Sequence, residues 1–136
     1  MPPGSPIDSI AQVDTAGNRI AVYARAAYGL WLIDHIEHAE LVKTDSMDES
    51  FEVFVDRGLE ALAGLRPKLV EDARRLPGSR ILEGQFSAVQ QAIGTKPGRP
   101  EAAAFLQQFV DEAKSSGFVA GLIEKHGVGG RLSVAP

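Results

Sequence analysis

Apolar positions change their spacing several times along the chain, and each change predicts an element. After a start rich in Pro, Gly and Ser, the run Ile7 to Val13 reads as a short strand. Residues 14–18 read as a turn, with Gly17 and Asn18 supplying the unusual backbone angles. Arg19-Ile20-Ala21-Val22-Tyr23 is a brief apolar run of the kind a buried strand requires. Leu30, Ile33 and Ile36 then recur at intervals of three, predicting a helix over 26–38. Residues 39–43 form a second strand candidate. Ser46 stands three residues before Glu49, the spacing of a capping box, and opens a helix carrying Phe51, Phe54 and Val55 that stops at Gly58. Residues 59–65 are a third apolar run, broken by Glu60. Pro67 suits the first turn of a helix, where its missing N–H costs nothing. Leu69, Val70 and Ala73 line that helix until Pro77-Gly78 ends it.

Strand and helix thus alternate three times, which predicts an α/β layer with a mostly parallel sheet. Its size should be about five strands, as is usual for such sheets. They are expected at 20–23, 41–43, 60–64, 80–82 and 86–93. Beyond the turn-rich segment 95–100 the pattern becomes helical. Phe105, Leu106, Phe109, Val110 and Ala113 line one amphipathic helix, Gly117 interrupts, and Phe118, Val119, Leu122 and Ile123 line a shorter one. Lys125 and His126 at its end suit the helix dipole, and the last ten residues read as an extended tail.

Composition narrows the function classes. Of the 136 residues, 44% are hydrophobic and 24% charged, the balance of an ordinary globular domain. No apolar run approaches the roughly 20 residues a membrane-spanning helix needs. The net charge of −4, with no block of Lys and Arg, disfavours nucleic acid as a partner. With no cysteine, thiolate catalysis and Cys-ligated metals are excluded. The opening residues carry no basic start and no apolar signal region, so the expectation is a cytosolic chain or a piece of something longer.

Candidate chemistry is sparse. His35 and His38 lie three apart on the first helix and can offer two metal ligands, yet a polar, solvated helix end is the commoner reading. Adjacent acids such as Glu71-Asp72 and Asp111-Glu112 point to different sides of their helices. No phosphate loop, nucleophile elbow or metalloprotease helix is present, so neither a catalytic residue, a metal nor a cofactor is expected. The strand ends are more informative. In open α/β sheets ligands bind outside the carboxyl ends of strands, where helix N-termini converge. Here those ends are Tyr23-Ala24-Arg25-Ala26-Ala27-Tyr28 and Ala63-Gly64-Leu65-Arg66-Pro67. Each sets an arginine beside helix N–H groups, a combination that favours an anion, although both arginines can equally be plain surface residues.

Several strings resemble a known family. Residues 13–22, Val-Asp-Thr-Ala-Gly-Asn-Arg-Ile-Ala-Val, continuing through Ala27-Tyr28-Gly29-Leu30, resemble the start of the second lobe of bacterial extracellular solute-binding proteins of family 3. These are the substrate receptors of polar-amino-acid-type ABC importers. Gly58 to Arg66 resembles their later ligand-facing strand, and Phe105 to His126, including Ala113-Lys114-Ser115-Ser116-Gly117, resembles their closing helices. The likeness spans residues 7–134. It implies a lobe of the type II periplasmic-binding-protein kind: a tail and hinge-like segment (1–18), an α/β domain (19–84), then a crossover strand and C-terminal helices (85–136). It further implies a periplasmic setting, a membrane permease as partner and a small polar or anionic solute as ligand. The ligand residues carried over are Tyr23, Arg25, Ala26, Ala27, Tyr28, Gly64, Leu65 and Arg66.

Two departures shape the expectation. Only the second lobe is represented. The hydroxyl residues common at the family's first strand end are replaced by Arg25-Ala26-Ala27, and Leu65 stands where an aspartate commonly pairs with the ligand ammonium. An α-amino acid would find no carboxylate there. The alternative is a degenerate binding fold acting as a dimeric interaction module. Phe105, Phe109, Phe118 and Leu122 favour association, a homodimer being the simplest outcome. Catalysis is the weakest reading, because the strand ends hold no general acid or base with a partner.

Overall fold

The computed structural model describes residues 1–130 and 132–135 and divides into two compact units, Met1–Val89 and Gln90–Pro136. In the first unit strands and helices alternate as the pattern predicts: β1 (Arg19–Tyr23), α1 (Ala27–His35), β2 (Glu40–Thr44), α2 (Met47–Asp56), β3 (Ala61–Leu62) and α3 (Arg66–Arg75). The second holds α4 (Pro100–Ser115) and α5 (Phe118–Lys125). The fold is α/β with a parallel three-stranded sheet in the order β2-β1-β3.

Strand β1 is central and buried on both faces. Alternation divides its side chains: Ile20 and Val22 pack with Tyr28 and Leu32 of α1, while Ala21 packs with Phe51 and Phe54 of α2. β3 repeats the division, Ala61 joining the α1 side and Leu62 the α2 side. The helix α2 starts and stops where its local residues dictate. Ser46 Oγ accepts the Glu49 amide at 3.1 Å, and the Glu49 carboxylate accepts the Asp45 amide at 2.7 Å. At the other end Gly58 adopts φ +57°, so the Leu59 amide can reach back to Phe54 O at 3.0 Å while the Leu59 side chain enters the core.

The sheet falls short of the expected five strands among the described residues, and the reasons are specific. Residues 7–13 hold Ile7 buried but wind into a 3-10 turn at Ile10–Gln12. Residues 80–82 and 86–93 are extended or irregular and join no ladder. Phe86 is used otherwise: its ring lies 5.5 Å from that of Trp31 on α1. β3 also shortens from the expected 60–64 to a pair of residues, because Glu60 turns to Arg19 and the backbone past Leu62 heads for α3. On α1 the expected stripe is rotated. Leu30 is 55% exposed and Ile33 38%, whereas Tyr28, Gly29 and Leu32 face the sheet.

Polar contacts tie the elements together. Asp14 accepts the amides of Glu37, His38 and Ala39 at 3.1, 2.8 and 2.8 Å, fastening the turn before β1 to the loop before β2. Those bonds, that of Ala39 first, hold its carboxyl below the usual range. Helix α3 buries an aspartate as its most enclosed residue. Lys68 Nζ bridges Asp72 and Asp48 of α2 at 2.8 Å each, and Arg75 lies 4.3 Å over the Phe51 ring. Leu69, Val70 and Ala73, expected to line the helix, are half-buried.

Candidate functional site

The strand order decides where the loops meet. The chain leaves β1 for β2 on one side and returns past β1 to β3 on the other, so the carboxyl ends of β1 and β3 form a topological switch point. The Ala63 amide bonds Ala21 O at 3.0 Å, carrying the β1–β3 pairing one residue beyond the strand. Two helices begin at this edge, α1 at Ala27 and α3 at Arg66.

At the β1 end the chain turns tightly. The Ala24 amide bonds Thr44 O at 3.2 Å, and the Ala26 amide bonds Tyr23 O at 3.2 Å. Ala26 is the N-cap of α1, and its methyl offers no acceptor, so no side chain caps the first-turn amides. Gly29 lets α1 approach this turn. A Cβ there would collide with Tyr23 O and sit 3.1 Å from the Tyr23 carbonyl carbon and 3.2 Å from Ala24 O. The neighbouring β2 end is locked by a polar knot, in which the buried Thr44 hydroxyl reaches Val22 O, Ser46 O and the Ser50 hydroxyl.

The sequence-derived residues separate into three groups. Tyr28 is buried in the α1-side core with Ala63, and Tyr23, Ala26 and Leu65 pack against that core, so the two strand ends share one apolar floor. The Tyr28 hydroxyl is buried without a hydrogen-bond partner, and burial, with Tyr23 adding to it, pushes that phenol up. Ala27 and Arg25 are exposed, Gly64 is half-buried, and Arg25 makes no hydrogen bond or ion pair among the described residues. Arg66 is committed elsewhere. Its guanidinium donates to Gly84 O at 2.6 Å and Leu82 O at 3.4 Å, tethering the segment that leaves α3. Arg25 is therefore the cation still available at this edge.

The expected helix over 26–38 ends at His35, and His38 lies in the loop beyond it, so the two histidines do not share a helix face. His35 stacks on Trp31 with centroids 3.9 Å apart, and its Nδ1 lies 2.7 Å from Trp31 O. No cluster of His, Asp and Glu is placed to hold a metal among the described residues. None of the helices described is long and apolar enough to cross a membrane. Sequence reasoning missed Gly29, Thr44 and Ser50. Only Gly29 carried a local signal, as a glycine inside an otherwise helical pattern. Comparison of the chain with protein-family models, curated proteins and solved structures gives no match.

Proposed function

We propose that the chain is a ligand-binding lobe of a bacterial ABC-importer solute receptor of the family 3 type, without catalytic activity, and that it takes a small anionic solute at the β1/β3 edge. One observation carries this reading: the β2-β1-β3 order sets the uncapped α1 amides and the unpaired Arg25 at one switch point. No carboxylate lies among residues 23–28 or 64–66, so an anion suits this edge better than an α-amino acid. The reading brings with it a periplasmic setting and a membrane permease as partner. A dimeric interaction module without transport role is the second reading, favoured by the exposed Phe105, Phe109 and Phe118.

Calorimetric titration of the full chain with acetate, succinate and a panel of amino acids separates the two. A single lobe should bind succinate with a dissociation constant on the order of millimolar, corresponding to about 4 kcal/mol. The Arg25→Ala variant should weaken it about tenfold through loss of a charge-assisted contact, and His35→Ala should leave it unchanged. Absence of any binding, or abolition by His35→Ala with Arg25→Ala silent, refutes the proposed site.

A further inference from the structure

Residues 81–89 close the first unit without joining its sheet, and none of their amides donates to a main-chain carbonyl among the described residues. Side chains of other elements hold this stretch instead. Arg66 Nη2 donates to Gly84 O at 2.6 Å and to Leu82 O at 3.4 Å, and the Phe86 ring meets that of Trp31 with centroids 5.5 Å apart. Arg66 is the first residue of α3 and Trp31 follows the first turn of α1, so residues 82–86 link the two helices that begin at the β1/β3 edge. Phe86 also packs on the same core as Tyr23, Ala26 and Leu65, the floor that the two strand ends share. Glu83, Gly84 and Gln85 are exposed. A stretch with so few main-chain bonds opens at little cost.

We propose that residues 82–86 are an autoinhibitory strap on this edge, latched by Arg66 and released by a carboxylate solute that takes the Arg66 guanidinium. The inference deepens the anion-binding reading and rests on it. The latched nitrogen makes strap and solute exclusive. A carboxylate pairs with a guanidinium through two parallel bonds, from Nη1 and Nη2 or from Nε and Nη2. Either fork needs Nη2, whose two N–H groups have the two strap carbonyls as acceptors. The solute is the stronger acceptor, because its bond to the guanidinium is charged at both ends whereas a main-chain carbonyl is neutral. The whole fork is free only when the strap is open, so the anion binds the open form better and shifts the population towards it. Arg66 is thus masked in the structure and becomes a second cation of the site, beside Arg25, once the strap has moved.

Glu83 lies between the two latched carbonyls and makes the strap a substrate for a Glu-specific endoprotease. Cleavage after Glu83 in the full chain, taken as a ratio to cleavage after Glu101, reports the open population. Succinate at about 20 mM should raise that ratio about tenfold. Arg66→Gln should show the raised ratio without succinate and no further rise with it. The absence of native cysteine allows a second measurement that leaves Arg66 in place. A bimane label on Gln85→Cys, next to Phe86 and therefore within quenching reach of Trp31, should brighten when succinate is added. A low ratio in Arg66→Gln overturns the latch, and so does a rise with succinate in that variant. Succinate binding to the native chain in the calorimeter, with neither faster cleavage after Glu83 nor brightening, overturns the release and leaves the anion site standing. No succinate binding at all refutes the anion site and the strap's release with it.

Discussion

Replacing Gly29 with alanine tests the packing that builds the β1 edge. Gly29 is the third residue of α1 and is buried, and its backbone does not need the left-handed region. The requirement is space alone. The added methyl would meet Tyr23 and Ala24 main-chain atoms, and Tyr23 is fixed in register with Thr44 of β2. Alanine improves helix propensity by about 1 kcal/mol. Overpacking a filled site costs about 1–3 kcal/mol and more where the obstructing atoms cannot rotate away, as backbone cannot. The expected balance is a loss of about 2 kcal/mol, a large share of the roughly 5–15 kcal/mol that holds a domain together. Urea unfolding followed by Trp31 fluorescence reads it directly, because Trp31 lies two residues further along the same helix. The midpoint should fall with an unchanged slope. Gly64→Ala is the control: its Cβ would lie 3.2 Å from the end of the Leu69 side chain, which can move, so its cost should stay below about 1 kcal/mol. If Gly29→Ala is as stable as the native chain, the close approach of α1 to β1 is wrong and so is the placement of the first-turn amides.

Acid should destabilise the first unit through Glu60, whose carboxyl is held down to about 2, first by the Arg19 side-chain hydrogen bond. A folded-state value below the unfolded one means the contribution is complete above about pH 4.5 and is lost as pH falls towards 2. Glu60→Gln should flatten the stability–pH slope in that window, and an unchanged slope refutes the assignment. Ser46→Ala removes the acceptor of the Glu49 amide and should cost about 1 kcal/mol in thermal or urea unfolding, whereas no loss would mean the cap is not formed in solution. Tyr28→Phe removes a buried hydroxyl that has no partner and should leave stability equal or raise it by up to about 1 kcal/mol; a clear loss in the same assay would reveal a hydrogen bond absent from this structure.

Local rules were enough for the elements whose ends are set by their own residues. The Ser46–Glu49 cap, the stop at Gly58, the Pro67 start and the alternation of Ile20, Ala21 and Val22 are decided within a few residues, and the structure has each of them. The strand–helix order, and with it the parallel sheet, follows from their succession. What the pattern could not decide was partnership. An apolar run reports that side chains need cover, not that the backbone has a neighbouring strand to bond, so Phe86 met Trp31 and joined no ladder. Leu30 and Ile33 were legible as helical but not as outward-facing, since the face a helix turns to the sheet depends on where the sheet lies. The candidate site divides in the same way. Its position at the ends of β1 and β3 could be read from the element order, while the capture of Arg66 by Leu82 and Gly84, sixteen and eighteen residues along, depended on the path of the chain after α3. Spacing fixes what is local; the long-range hydrogen bonds and the packing partners are chosen only when the chain folds.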